Sequence, residues 1–471
     1  MKSSNQQKFS WRRNIDFLKE ALQDNEVEYT SIPMGRALGL LAIPMMLEMV
    51  MESVFAVVDI AFVSRLGTDA IAAVGITEAL VTVLYAIAIG FGLAVTAMVA
   101  RRVGEKDPEA AAVVTGQAIW ISAALSVVVG IAGYTYAEDM LRLMGATESV
   151  VHTGTGFATV LLGGAASIIY LFTLNAAFRG AGDAAIALRS LWLANGLNLI
   201  LDPCLIFGLG PFPEMGVTGA AVATTIGRGV GVLYQLWHLF GVRGRLQCQL
   251  RHLKLVPDIA SRLLVIAVGG IGQFLISTSS WLLVMRIVAL YGSGPIAAYT
   301  IALRLLEFVW LPAWGLGNAA ATLVGQNLGA GQPDRAEQSG WRASRYNIIY
   351  MAITGLLFIA FARTVAVLFS NDPEVIRYTT SCLYIMGAGL PLAATGMIIS
   401  QALNGAGDTR TPTVMNLICF WLIQLPLAYW LAESVALGPN GVFFAMVVAE
   451  SMLTVLGVYV FRHGAWKHRV A

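Results

Sequence analysis

The sequence predicts an all-α polytopic membrane protein: twelve transmembrane helices in two six-helix bundles, related by a pseudo-twofold axis along the membrane normal. Three observations carry this expectation. The 471-residue chain is 57% hydrophobic and only 12% charged, with a mean hydropathy of +0.71. Soluble domains carry about 25% charged residues. Apolar segments of spanning length recur twelve times. The second half also repeats the first at a constant offset.

The chain opens with a polar segment, residues 1–33, in which Lys2, Lys8, Arg12, Arg13 and Lys19 alternate with acids. Within it, FSWRRNIDFLKEAL has the pattern of a short amphipathic helix on the membrane surface. A loosely ordered cytoplasmic tail fits the composition equally well. No cleavable signal peptide is evident. The spans then follow near 37–64, 70–98, 111–136, 153–178, 186–209, 216–240, 261–290, 296–324, 344–369, 376–402, 412–432 and 439–461. Their connections are too short for an inserted soluble domain. The expected organisation is a cytoplasmic segment 1–33, an N-terminal bundle 34–245, a C-terminal bundle 246–461 and a cytoplasmic tail 462–471.

Charge in the connections alternates. One set holds Arg101, Arg102, Lys106, Arg179, Arg189, Arg243, Arg245, Arg251, Lys254, Arg262, Arg335, Arg342, Arg345, Arg410, Arg462, Lys467 and Arg469. The other is poor in lysine and arginine and carries acids such as Glu138, Asp139, Glu214, Asp372 and Glu433. The positive-inside rule puts the first set, and with it both termini, in the cytoplasm. That arrangement requires an even number of spans.

The repeat is read from two separate matches. Gly90, Gly92, Gly104 and Pro108 fall on Gly315, Gly317, Gly329 and Pro333, an offset of 225. The same offset carries Arg179-Gly180-Ala181-Gly182-Asp183 onto Asn404-Gly405-Ala406-Gly407-Asp408. Six spans return the chain to its starting side, so the two units are parallel. A binding site is expected between them, in an architecture suited to alternating access. In these turns glycine stops one helix and Asp183 or Asp408 is placed to cap the next.

The first span carries three acids, Glu48, Glu52 and Asp59. At about 100° per residue they share one helix face. A carboxylate near the membrane centre costs roughly 2.5–3.5 kcal/mol. That stripe therefore faces protein or water. The fifth span places Asn195, Asn198 and Asp202 at i, i+3 and i+7, again one face, with Pro203 next. Oxygen donors in this pattern suit a small cation or a protonated acid. The plainer alternative is interhelical hydrogen bonding. Glu307 follows Arg304 by three residues, the spacing of an intrahelical ion pair. Glu78 reads as interfacial. Gln273 and Gln401 could line the second bundle. Met45, Met46, Met49 and Met51 read first as packing, though thioethers also suit a promiscuous pocket.

Several classes are excluded or disfavoured. A net charge of +2 offers nothing to nucleic acid. The cysteines Cys204, Cys248, Cys382 and Cys419 lack metal or redox spacing. There is no P-loop, no HExxH and no useful Ser/His/Asp set. An enzyme is therefore not expected, no cofactor is called for, and transport would draw on an ion gradient.

The stretches VVDIAFVSRLG, RGAGD, NLILDPCLIFGLG and GVTGAAVATTIGR resemble the multidrug and toxic compound extrusion (MATE) family over roughly residues 35–461. The resemblance implies a prokaryotic inner-membrane antiporter that expels drug-like, cationic or amphipathic small molecules in exchange for H⁺ or Na⁺. It implies an ion-coupling site, a possible Na⁺ site, at Asp59, Asn198, Asp202 and Thr224. Glu52 and Asn175 match positions facing the same cavity. The seventh span lacks the acid that one branch of the family carries there. Gln273 is its nearest polar residue, and the chain looks most like the DNA-damage-inducible protein F group. Together with the intramembrane polar residues read above, the candidate substrate cavity is Glu48, Glu52, Asn175, Asn195, Gln273 and Glu307, with Glu48 a hydrated residue at the cytoplasmic mouth. Lipid-linked sugar flippases of the same superfamily and an integral membrane transferase are the competing readings. The first wants a more cationic cavity and the second longer loops. Monomer is the simplest assembly.

Overall fold

The computed structural model describes residues 15–23, 27–241 and 244–468. Residues 15–22 are helical, so part of the expected amphipathic stretch is a helix; residues 9–14 of that stretch lie outside the described residues, as do Arg243 and Arg469 of the basic set. The long helices follow as α1 (Met34–Val63), α2 (Thr68–Gly104), α3 (Pro108–Leu143), α4 (Glu148–Gly163), α5 (Ala165–Ala181), α6 (Ala184–Phe207) and α7 (Val217–Leu239). The second half supplies α8 (Pro257–Ala289), α9 (Ser293–Gly329), α10 (Pro333–Phe369), α11 (Pro373–Gly405), α12 (Arg410–Ser434) and α13 (Pro439–His463). Ten of these are long and apolar enough to span a membrane, and the bent pair α4–α5 makes eleven. The remaining predicted span is α7, whose apolar character is diluted by Arg228, Gln235, His238 and its glycines. The outer surface is apolar: Val127, Val128 and Ile131 on α3 are each more than half exposed, as are Leu356 and Leu357 on α10. Such a surface belongs in a bilayer.

Local chemistry sets the helix ends. Asp107 accepts from the Ala110 amide at 2.9 Å, with Pro108 at the first helical position of α3. Gly182 and Gly407 end their helices at φ of +92° and +83°, where glycine is favoured. Thr409, not the expected Asp408, is the N-cap residue of α12; Asp408 just before it accepts from the Thr411 hydroxyl at 2.7 Å and from the Thr411 amide at 3.3 Å. Two spans are not the simple rods the hydropathy suggested. The fourth bends by 41° between α4 and α5, at the Gly163–Gly164 pair. The eleventh is π-helical over Leu417–Gln424 and again over Trp430–Ser434.

The repeat survives in three dimensions, contact by contact. A Cβ on Gly90 of α2 would lie 2.4 Å from the Ile271 nitrogen of α8. On Gly315 of α9 it would lie 2.7 Å from the Met46 nitrogen of α1. Positions 90 and 315, and 46 and 271, are each related by 225. A Cβ on Gly104 would overlap the Gln326 carbonyl oxygen and one on Gly329 the Arg101 carbonyl oxygen, again mates at the same offset. Gly180 abuts Thr96 while Gly405 abuts Ala321. The same close backbone approaches therefore occur twice, as a pseudo-twofold requires. The two lobes, α1–α7 and α8–α13, meet along α1–α9, α2–α8 and α2–α9.

The connection from α7 to α8 lies against the first lobe. Gln117 of α3 donates to the Lys254 carbonyl at 2.9 Å and accepts from the Val256 amide at 2.9 Å; Trp120 donates to the Leu253 carbonyl at 2.7 Å. The sequence boundary at 245/246 thus falls inside a segment bonded to α3. Residues 27–33, the α2–α3 turn, the start of α10 and the C-terminal residues 465–468 gather on one end of the molecule. Lys106 pairs with Glu28 there, and Lys467 with Asp334 and Glu337. This end is called the terminal face below.

Candidate ion-coupling site and central cleft

The polar centre of the first lobe is built by α1, α6 and α7. Gly227 of α7 packs on the Ala194 carbonyl of α6, where a Cβ would sit 2.5 Å away. This close approach lets Asn198 Nδ2 donate to Thr224 Oγ1 at 2.9 Å. Asn198 and Asp202 are a turn apart on α6, and both are buried, as are Asn195 and Thr224. Asp202 stands beside Asp59 of α1, near enough for each carboxyl to feel the other's charge. Asp59 Oδ1, both Asp202 oxygens and Asn198 Oδ1 are buried with no hydrogen-bond partner in the protein. The structure thus brings together all four residues expected of the coupling site. Its donors are oxygens, the chemistry a hard monovalent cation or a shared proton requires.

A second polar network sits beside it, and here one expectation is corrected. Glu48 is not a hydrated residue at the mouth. It is 1% exposed and accepts from Arg179 Nη1 at 3.0 Å and from Asn175 Nδ2 at 3.2 Å. Gln235 of α7 donates in turn to Asn175 Oδ1. Helix α5 runs on to Ala181, so Arg179 lies inside its last turn and reaches into the lobe, rather than belonging to a solvated connection.

Between the lobes is an open cleft lined by Met49, Gly92, Phe172, Arg179, Trp314, Asn318, Gln401 and Asn404, among others. Gln401 donates to Asn318 at 3.2 Å and accepts from Asn404 at 2.9 Å. Trp314 stacks on Phe274, centroids 5.1 Å apart. Met49 is thus a cavity wall, whereas Met45 is fully buried packing. Arg179 touches the cleft; its partner Glu48, and Asn175 bonded to Glu48 in turn, are not among the lining residues. Glu52 is half-buried, Asn195 is buried with Nδ2 unpartnered, and Gln273 is half-buried on α8 with Oε1 unpartnered. Glu307 pairs with Arg304 at 3.2 Å on an exposed face, the intrahelical pair its spacing suggested. Sequence reasoning missed Arg228. It is 8% exposed, one turn beyond Thr224, and donates to the Tyr85 hydroxyl at 2.6 Å. An arginine inside a predicted span was the signal that could have found it. Among the described residues no group of three or more His, Cys, Asp or Glu side chains could hold a metal.

Two pseudo-symmetric lobes, a buried polar site in one and a cleft between them define a multipass membrane transporter. The chain belongs to the MatE family, whose profile matches residues 44–204 and again 270–430, once in each half. A probable multidrug resistance protein of Bacillus subtilis strain 168, YoeA, is 29% identical over 92% of this chain and 94% of its own length. A Shewanella oneidensis MR-1 protein named as an FAD transporter is 27% identical, covering 91% and 95%. A solved multidrug resistance MATE family transporter of the MOP superfamily, in an outward-facing conformation, superposes with a TM-score of 0.88 at 26% identity, covering 94% and 98%.

Proposed function

We propose that this protein is a secondary active efflux transporter that exchanges cationic or amphipathic small molecules for H⁺ or Na⁺ by alternating access. The observation that carries the reading is the neighbouring pair of a half-buried Asp59 and a fully buried Asp202, three of whose carboxylate oxygens are buried with no hydrogen-bond partner. A proton or Na⁺ neutralises that pair, with Asn198 Oδ1 and Thr224 Oγ1 as further ligands. Neutralisation changes which packing of α1 against α6 is preferred, and only such differential binding can couple an ion to a conformational change. The terminal face is the cytoplasmic one, consistent with its arginines and lysines.

The test is gradient-driven movement of a fluorescent organic cation in proteoliposomes, with imposed pH and Na⁺ gradients applied separately. Wild type moves the probe under one of them, and Asp202→Asn does not. Equal transport with no gradient, or full coupling in Asp202→Asn, rules the reading out. A second substrate class follows from the relative named as an FAD transporter. FAD is therefore run as an anionic probe in the same vesicles.

A further inference from the structure

The segment that leads into α1 ties the two lobes together on the terminal face. On the first lobe it has four kinds of anchor. Tyr29 Oη donates to the Gly182 carbonyl at 3.1 Å, and Tyr29 is 6% exposed. Arg245 donates to the Val27 carbonyl and lies over the Tyr29 ring, 5.2 Å from its centroid. Lys106 pairs with Glu28 at 2.7 Å. Just upstream, Arg189 donates to the Leu22 carbonyl at 2.7 Å. On the second lobe, Arg335 of α10 donates to the Tyr29 carbonyl at 3.1 Å and also to the Ile32 carbonyl. Ser339 of the same helix donates to Met34 Sδ at 3.3 Å. The apolar side chains agree: Tyr29, Val27 and Ile32 share one packed cluster with Leu323 of α9 and Ala343 of α10.

Beneath this segment the lobes touch directly. Gln326 of α9 donates to the Gly180 carbonyl at 3.0 Å, and Thr322 donates to the Arg179 carbonyl at 3.1 Å. Alternating access requires these contacts to part. Tyr29 then cannot keep both its hydroxyl bond to Gly182 and its carbonyl bond to Arg335. We propose that residues 27–32 are a latch that holds the terminal face shut and must leave one lobe before that face opens. The proposal rests on the alternating-access reading above.

The latch acts through charge-assisted hydrogen bonds, which contribute more than neutral ones. Losing one set shifts a two-state balance by about tenfold or more. Spin labels on Leu250→Cys and Gln338→Cys, in a chain with its four native cysteines replaced, report the separation of the lobes at this face. Both positions are exposed, the first in the connection bonded to α3 and the second on α10. In proteoliposomes the otherwise unmodified chain shows mainly the short distance. Arg335→Gln raises the long-distance population about tenfold and Tyr29→Phe, which removes a neutral hydrogen bond, about fivefold, and Arg335→Lys restores part of the short one. Tyr29→Phe keeps the ring and removes only the hydroxyl, so it separates latch release from misfolding. Unchanged distances in both variants, with gradient-driven transport intact, overturn the latch alone. Absence of gradient-driven transport in wild type overturns the reading on which it rests, and the latch with it.

Discussion

At residue scale, Glu48, Glu52 and Asp59 share one helix stripe but not one environment. Glu48 is neutralised by Arg179, and Asp59 faces a second acid. Removing one partner of a buried pair strands the other charge. Glu48→Gln should therefore destabilise the protein by about 3 kcal/mol or more, read as a lower unfolding midpoint in detergent. Glu48→Gln combined with Arg179→Met should recover most of that loss. If the double variant is as unstable as the single one, the pair is not what holds this site together. Asp59→Asn should behave differently, keeping stability while abolishing gradient-driven transport. The stripe itself was legible because three acids in an apolar span are too costly to face lipid, and their helical spacing puts them on one side. The role of Glu48 was not, because its partner lies 131 positions away in what the sequence presented as a basic connection. A helix that continues three residues past its apolar stretch carries Arg179 inside, and hydropathy does not see that extension.

At the scale of elements, the lobes are held by helices that approach at glycine. Gly90 and Gly315 are symmetry mates, each against the backbone of the facing lobe. Adding one methyl group there forces backbone apart, and overpacking of this kind costs roughly 1–3 kcal/mol. Gly90→Ala and Gly315→Ala should therefore lower the unfolding midpoint by similar amounts. Unequal effects would mean that the two contacts, though alike in geometry, do not carry equal load. These glycines were visible in the sequence as a repeat. The bend between α4 and α5 and the π-helical turns of α12 were not. An apolar run has the same composition whether its backbone is straight, bent or π-helical. The latch has an element-scale prediction of its own. A hydrogen bond and the charge of Lys106 hold the Glu28 carboxyl below its usual 4.5. For a carboxylate with a lowered folded pKa, the contribution is complete above the unfolded value and is lost only as pH falls through the lowered one. The Leu250–Gln338 distance distribution should thus not change between about pH 6 and pH 8 through this pair. A change in that range that disappears in Glu28→Gln would contradict this.

For the whole molecule, the pseudo-twofold is kept in packing and broken in chemistry. At the repeat offset of 225, Asp59 falls on Val284, Asp202 on Leu427 and Thr224 on Ala449. Val284 is fully buried among apolar neighbours of the second lobe. The fold thus supplies two equivalent frames, and only one carries the facing acids. If Asp59 and Asp202 couple an ion as proposed, such a transporter has a single coupling site whose occupancy biases both lobes, because the lobes share the α1–α9 and α2–α8 contacts. The second lobe contributes a neutral wall instead, with Gln401, Asn404 and Asn318 bonded to one another and Trp314 stacked on Phe274. Coupling should therefore saturate at one cation per chain. Equilibrium binding of the coupling ion to purified protein should give one equivalent in wild type and none in Asp202→Asn. Asn404→Ala, on the wall of the second lobe, should leave that equivalent intact while changing the apparent affinity for transported probes. A second equivalent surviving in Asp202→Asn would place an ion site in the other frame, and the asymmetry argued here would fail.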